Sequence, residues 1–300
     1  MTSAAEKLVD PKLLARLAGL GVKVRQAMEG VLTGQHKSPH HGSSVEFAQH
    51  REYAPGDEIK HIDWKAYAKS DRFHIKQFED ETNLRTYLCV DTSGSMGYRG
   101  ARGTESKGRY AAQMAAVLAW LLLRQGDAVG LLTFGERLGA YVPPRARPDH
   151  YWHLARTLVD TPVGGQTDAV GALERVAEVA ARRSLVVLLT DGFDFNSPGR
   201  MAAVARQLRR RNHRVVVFQI LDPDEVDFPF KDLTVFEDME VADDRALADP
   251  RGMREAYLDE IRAYCDGLKR DLLEGDVGYR RVVTSTPLDR TIIDALGGRA

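Results

Sequence analysis

The chain has 300 residues, of which 43% are hydrophobic and 28% charged, and its formal net charge is −1. This length is sufficient for one large domain or two modest ones, and the composition is ordinary for a folded globular protein. Such a balanced charge lacks the basic excess that usually accompanies nucleic-acid binding, so we expect no nucleic-acid partner.

The small number of cysteines and the short apolar runs predict the cellular compartment of the protein. Cys89 and Cys265 are too few for a disulfide framework. The first ten residues lack the apolar segment of a secretion signal. The longest apolar run, 115–123, is much shorter than the roughly 20 residues of a membrane span. We therefore expect a cytoplasmic protein that does not insert directly into a membrane.

The first 82 residues predict a helix, a loop and short strands. Apolar residues recur at helical spacing over 11–32, and a stretch rich in Gly, Ser and His follows over 33–44. The polar and aromatic stretch 45–82 contains the turn sequence APGDE and an alternating segment, RFHIKQF, that predicts a strand. We assign residues 1–82 to an N-terminal segment.

From residue 83 the predicted strands and helices alternate. Several strands are continuous runs of Val, Leu and Ile, which is typical of a parallel sheet buried on both faces. The predicted class is α/β, with a doubly wound, mostly parallel sheet flanked by helices and the N-terminal segment packed on it. This second region spans 83–300. Strands are predicted at 83–90, 127–134, 137–142, 184–190, 213–220 and 277–284, and helices at 107–126, 147–160, 167–183, 199–211, 252–275 and 287–296. The acidic connection 221–244 is expected to form a hairpin or an exposed excursion.

Oxygen-bearing side chains follow the ends of two predicted strands. Asp91, Ser93 and Ser95 come directly after the first, Asp191 follows SLVVLLT, and Thr167 precedes a helix. Ligands bind outside the carboxyl ends of parallel strands, so we expect these groups to meet at one sheet edge. Taken singly, each residue is an ordinary helix cap or turn residue. Taken together, hard oxygen donors without sulfur or imidazole favour Mg²⁺, Mn²⁺ or Ca²⁺ over Zn²⁺.

The segments DTSGSM, GGQTDA and VVLLTDGF resemble the metal-ion-dependent adhesion site of von Willebrand factor A-type domains. The resemblance covers roughly residues 83–290 and matches Asp91, Ser93, Ser95, Thr167 and Asp191 without a substitution. It implies that the three hydroxyls coordinate a Mg²⁺-type ion, with the two aspartates acting directly or through water. It also implies that an acidic side chain of a partner or client protein fills the open position.

The front segment resembles a bacterial family known as domain of unknown function 58. That family places the pattern R-x-Y-x-P-G-D…I-D-W…A before a von Willebrand A-like domain. The matching residues here are Arg51, Tyr53, Pro55, Gly56, Asp57, Ile62, Asp63, Trp64 and Ala68. The resemblance implies a partner, an AAA+ ATPase of the MoxR type, and a role in the assembly or maturation of other proteins.

Two classes of function therefore remain open. We expect a non-catalytic, metal-dependent protein-binding adaptor rather than an enzyme, because no catalytic base is evident beside the five residues and no P-loop motif is present. The alternative is a metal-dependent phosphohydrolase that uses the same Asp/Ser site. Such enzymes usually need a second carboxylate two residues after the first, where this chain has Ser93.

Overall fold

The chain divides into two units, one formed by residues 1–36 and 84–300 and the other by residues 37–83. The structure is a computed structural model, and it describes residues 8–19, 46–53, 64, 67, 72–79, 84–193, 199–241 and 244–295. The helix over the first described residues thus belongs to the larger unit, although the sequence grouped it with the N-terminal segment.

The smaller unit contains an antiparallel pair of strands, β1 (Glu46–Glu52) and β2 (His74–Glu79). Strand β2 coincides with the alternating segment RFHIKQF. Four rings of this unit contact one another, with Tyr67 stacked on Phe73 at 4.4 Å between centroids. Of the front motif, six residues lie outside the described part of the chain: Pro55, Gly56, Asp57, Ile62, Asp63 and Ala68.

The larger unit alternates strands and helices from residue 85 onward. Its helices are α1 (Pro11–Gly19), α2 (Lys107–Arg124), α3 (His150–Asp160), α4 (Ala169–Val179), α5 (Arg200–Arg210), α6 (Pro223–Asp227), α7 (Pro250–Glu274) and α8 (Leu288–Ala295). Its strands are β3 (Arg85–Asp91), β4 (Ala128–Phe134), β5 (Leu138–Arg145), β6 (Leu185–Thr190), β7 (Arg214–Leu221), β8 (Thr234–Glu237), β9 (Arg245–Ala248) and β10 (Gly278–Val283).

Six of these strands form one sheet in the order β10-β7-β6-β3-β4-β5. All neighbours are parallel except β5, which runs antiparallel to β4 at the edge. The predicted α/β class, with a doubly wound and mostly parallel sheet flanked by helices, is confirmed. The acidic connection also forms a hairpin, because β8 and β9 pair antiparallel as a separate two-stranded sheet.

Both faces of the main sheet are buried under helices. On one face Leu88 and Val90 of β3 pack in a core with the apolar residues of α2. On the other face Tyr87 and Cys89 pack with residues of α4 and α5. This two-sided burial explains why the strands are continuous apolar runs rather than alternating ones. Leu17 of α1 is fully buried in the first core, which accounts for the grouping of α1 with the larger unit.

Among the described helices, the apolar α2 included, none combines the length and the hydropathy that a bilayer span requires.

Candidate metal-binding site at the sheet edge

The candidate site lies where the order of the sheet reverses. The chain leaves β3 toward β4 on one side and later returns to β6 on the other side of β3. The crevice between the carboxyl ends of β3 and β6 is therefore a topological switch point, the usual ligand position in open α/β sheets. Asp91 is the last residue of β3, and Asp191 directly follows β6.

The carboxylate of Asp91 is the centre of a hydrogen-bond network. Its Oδ2 atom accepts from the hydroxyls of Thr190 at 2.6 Å and Thr167 at 3.1 Å. Its Oδ1 atom accepts from the backbone N–H of Ser93 at 2.9 Å. Asp91 and Ser93 are fully buried. The two ends of the strands and the segment before α4 are therefore joined through one carboxylate.

The loop after β3 brings two serine hydroxyls to the same place. The hydroxyls of Ser93 and Ser95 are 3.2 Å apart, because the chain turns into a single 3-10 turn over Gly94–Gly97. The backbone N–H of Gly94 donates to the carbonyl of Gly165 at 2.7 Å, which ties this loop to the segment that carries Thr167. Four of the five predicted residues are thus linked directly by hydrogen bonds.

Asp191, the fifth residue, is paired with a buried lysine. The Lys107 ammonium donates to Oδ2 of Asp191 at 2.8 Å and to Oε1 of Glu225 at 2.6 Å. The Lys107 side chain is 1% exposed, and it lies in the first turn of α2. Burial alone would lower its pKa, but the two carboxylates raise the pKa of Lys107 above its ordinary value. The lysine is therefore held charged.

The charge balance of this cluster is negative. Lys107 supplies one positive charge against the carboxylates of Asp91, Asp191 and Glu225. Burial, followed by the charge of Asp191, raises the pKa of Asp91 to about 6. Burial also raises the pKa of Glu225, although Lys107 opposes the shift. Buried negative charge of this kind is stabilised by a nearby cation.

The donor set fits a hard divalent cation. Two carboxylates and three hydroxyls are available, and a further carboxylate oxygen, Oε1 of Glu240, is buried nearby without a hydrogen-bond partner in the described structure. No group of three or more His, Cys, Asp or Glu side chains within the described residues is arranged to hold a metal ion. The hydroxyl and carboxylate oxygens at this site are hard donors, which suit Mg²⁺ or Mn²⁺.

A cavity of about 310 Å³ opens beside the hydroxyl loop. Aromatic side chains form much of its wall, and Phe228 packs against Tyr257 at 4.3 Å and against Phe236 at 5.8 Å between centroids. Acidic residues of the β8–β9 hairpin, Glu240 among them, line the same cavity. The site therefore adjoins an apolar recess that a protein side chain could fill.

Sequence reasoning missed four functional candidates of this site. Thr190 ends a predicted strand, so its position at the edge could have been found from the same rule that selected Asp191. Lys107 follows a polar loop, and nothing in the sequence distinguishes it from a solvated lysine. Glu225 and Glu240 lie in the acidic connection, where the sequence contains many similar residues. Their roles depend on how that connection folds back.

The chain belongs to a family described as "Protein of unknown function DUF58", whose model matches residues 49–264. The chain is also similar to the uncharacterized protein Rv1480 of Mycobacterium tuberculosis. The two are 30% identical over 225 residues, which cover 73% of this chain and 68% of that protein.

Two solved structures have a similar fold. One is a conserved hypothetical protein, and the other is a von Willebrand factor type A protein. BatB of Bacteroides thetaiotaomicron is 16% identical with a TM-score of 0.48, covering 71% of this chain and 97% of that one. A von Willebrand factor type A protein of Catenulispora acidiphila is 13% identical with a TM-score of 0.41, covering 72% of this chain and 43% of that one.

Proposed function

We propose that this chain is a non-catalytic, metal-dependent protein-binding adaptor. A divalent cation, Mg²⁺ or Mn²⁺, is held by the hydroxyls of Ser93, Ser95 and Thr167, with Asp91 and Asp191 bound directly or through water. An acidic side chain of a partner protein completes the coordination. The cation supplies a positive charge at the surface that recognises a carboxylate.

One observation carries the proposal. Two buried carboxylates, Asp91 and Asp191, end neighbouring strands at the switch point, and Lys107 neutralises one of them. The remaining negative charge and the adjacent hydroxyls form an environment that a divalent cation would stabilise. Neutral hydroxyl ligands leave the cation under-neutralised, and this favours an additional anionic ligand from outside.

The surroundings favour a protein partner over a small anion. The cavity beside Ser95 is walled by aromatic rings. Apolar and aromatic surface of this kind contributes to protein–protein contact, because burying it removes it from water. A partner that presents an acidic residue next to an apolar one would therefore contact both the cation and the cavity.

We further propose that the chain works in the cytoplasm with a MoxR-type AAA+ ATPase, in the assembly or maturation of client proteins. This partner is the one that the resemblance of the front segment to the DUF58 family implies. The buried, unpaired thiols of Cys89 and Cys265 agree with a reducing compartment.

Calorimetric titration tests the cation site. Wild type should bind one Mg²⁺ or Mn²⁺ per chain, and the double variant Ser93→Ala/Ser95→Ala should bind neither. Thr157→Ala is the matched control, because its hydroxyl donates to a carbonyl of its own helix, α3, instead of to the site. A wild-type protein that takes up no cation, or a double variant that binds as well as wild type, would contradict the proposal.

A binding experiment with the purified ATPase tests the adaptor role. The two proteins should associate in Mg²⁺, dissociate in EDTA, and fail to associate when Asp91→Ala replaces wild type. An assay with p-nitrophenyl phosphate and Mg²⁺ distinguishes the alternative function. Metal-dependent turnover that disappears in Asp91→Ala would favour a phosphohydrolase and refute a non-catalytic site.

A further inference from the structure

The β8–β9 hairpin folds onto the loop that carries the serine hydroxyls. The backbone of Met239 lies so close to Gly94 that a Cβ at that position would overlap the Met239 carbonyl oxygen. The methyl group of the Met239 side chain lies within ordinary van der Waals distance of the position that a Cβ on Gly97 would take. The absence of a side chain at Gly94 therefore lets the segment 238–241 reach the site.

Glu240 is the residue that this contact brings to the hydroxyls. Ser95 and Glu240 line the same cavity. Burial raises the pKa of Glu240 above its ordinary value, while hydrogen bonds from the Ser95 hydroxyl and the Thr167 backbone to its carboxylate oppose the shift. In the described structure, Oε1 of Glu240 is buried and accepts no hydrogen bond. A buried carboxylate oxygen without a partner is costly, and a cation would satisfy it.

Two other acidic side chains in the described part of the hairpin are accounted for by their own contacts. Glu237 pairs with Arg245 across the two strands at 3.1 Å. Asp238 accepts hydrogen bonds from the backbone N–H groups of Glu240 and Val241 at 2.7 and 2.9 Å. Asp238 thereby fixes the turn that directs Glu240 inward. Glu240 is distinguished from these neighbours by a carboxylate that faces the site.

We propose that Glu240 is a built-in ligand that occupies the open coordination position of the cation and closes the site to acidic partners until the segment 238–241 moves away. This inference rests on the proposed function. The closed state presents to the cation the same chemical group that a partner would bring. Because Glu240 is tethered, its effective concentration is on the order of millimolar or higher. A weakly binding free carboxylate would therefore be excluded, and a partner must gain additional contact to displace the segment.

The cavity provides that additional contact. Met239 and Phe236 of the hairpin line it together with Tyr257 of α7. Because the hairpin is part of this wall, a partner too large for the present cavity would fit only when the hairpin moves outward, and that movement would release Glu240 from the cation. Partner binding is then coupled to displacement of the segment 238–241. Only a partner that binds more tightly to the open state, in which Glu240 has left the cation, opens the site.

The experiment uses Mn²⁺ as the cation and acetate as the probe carboxylate, with wild type, Glu240→Gln and the control Glu237→Gln. Free Mn²⁺ is counted by electron paramagnetic resonance, and binding of acetate is measured by relaxation of its methyl protons by the bound Mn²⁺. Wild type and Glu237→Gln should bind Mn²⁺ without enhanced relaxation of acetate. Glu240→Gln should bind Mn²⁺ about tenfold more weakly, since one charged ligand is lost. Once loaded, it should relax acetate several-fold more strongly.

The outcomes separate this inference from the proposed function. Equal Mn²⁺ affinity and equal acetate relaxation in wild type and Glu240→Gln would overturn the role of Glu240 and leave the cation site intact. Wild type that binds no Mn²⁺ would overturn both. As a second measurement, Mn²⁺ should slow hydrogen exchange at the amides of Glu240 and Val241 in wild type. The same slowing in Glu240→Gln would contradict the inference even if that variant were less stable.

Discussion

Asp91 is the carboxylate of the candidate site whose charge depends most strongly on its surroundings. Its side chain is fully buried, and burial together with the charge of Asp191 raises its pKa from 3.8 to about 6. One pKa unit corresponds to about 1.4 kcal/mol of difference between protonation states, so this shift of about two units corresponds to about 3 kcal/mol. Without a bound cation, the ionised form of Asp91 therefore lowers the free energy of unfolding by about 3 kcal/mol relative to the protonated form.

The direction in which the free energy of unfolding changes with pH depends on whether the folded or the unfolded state holds the proton on Asp91. Between pH 3.8 and about 6 the folded protein retains a proton on Asp91 that the unfolded chain has released. The free energy of unfolding therefore falls as pH rises through this window, and the full loss is present above it. In Asp91→Asn nothing titrates at this position. The variant should gain about 3 kcal/mol relative to wild type between about pH 4 and pH 7.5.

Urea unfolding followed by circular dichroism, in EDTA at several pH values, measures this difference. Saturating Mg²⁺ at about pH 7.5 should then stabilise wild type and leave Asp91→Asn unchanged, because binding to the folded state alone adds stability. Asp160→Asn is the control, since Asp160 is exposed and pairs with Arg156 on the surface of α3. A difference between wild type and Asp91→Asn that is independent of pH, or that changes in the opposite direction, would refute the reasoning.

Three further predictions concern the groups around the site. Lys107→Met removes the ammonium group that pairs with the buried carboxylate of Asp191. The free energy of unfolding, measured in urea titrations, should fall by about 3–5 kcal/mol. A loss below about 1 kcal/mol would show that the Lys107–Asp191 pair is exposed to water. Gly94→Ala should destabilise the fold by about 1–3 kcal/mol. Gly267→Ala in α7, where an added Cβ would meet only the flexible end of the Arg270 side chain at 3.8 Å, should stabilise it by roughly 0.5–1 kcal/mol. Burial raises the pKa of Cys89 to about 12, so a thiol reagent should modify it only at the rate of unfolding, and rapid labelling of the folded protein would be inconsistent with the core described here.

The sheet was predictable because each central strand has the same local pattern, a continuous run of apolar residues. Residues 185–189 of β6 are a continuous apolar run, and such a run is typical of a strand whose two faces are both covered. The position of Asp91 and Asp191 at one edge followed from strand direction alone. The antiparallel direction of β5 was not predicted, although the link between Phe134 and Leu138 is far too short for a parallel crossover and permits only a hairpin.

The candidate site was predictable only in part, because some of its residues depend on tertiary contacts. Ser93 and Ser95 are placed by the turn after their own strand, so spacing was sufficient. Lys107 is buried by partners 84 and 118 residues away, and no local pattern records this. Glu240 reaches the site because Gly94 lets the backbone of the hairpin approach. From residue type alone, Lys107 and Glu240 would both have been assigned to the surface.

Anomalous diffraction at the manganese edge, from crystals of the wild-type protein grown with Mn²⁺, tests the central claim most directly. We predict a single strong peak in contact with the hydroxyl oxygens of Ser93, Ser95 and Thr167, between the carboxyl ends of β3 and β6. A saturated crystal with no peak at that position, or with its peak at other residues, would contradict it.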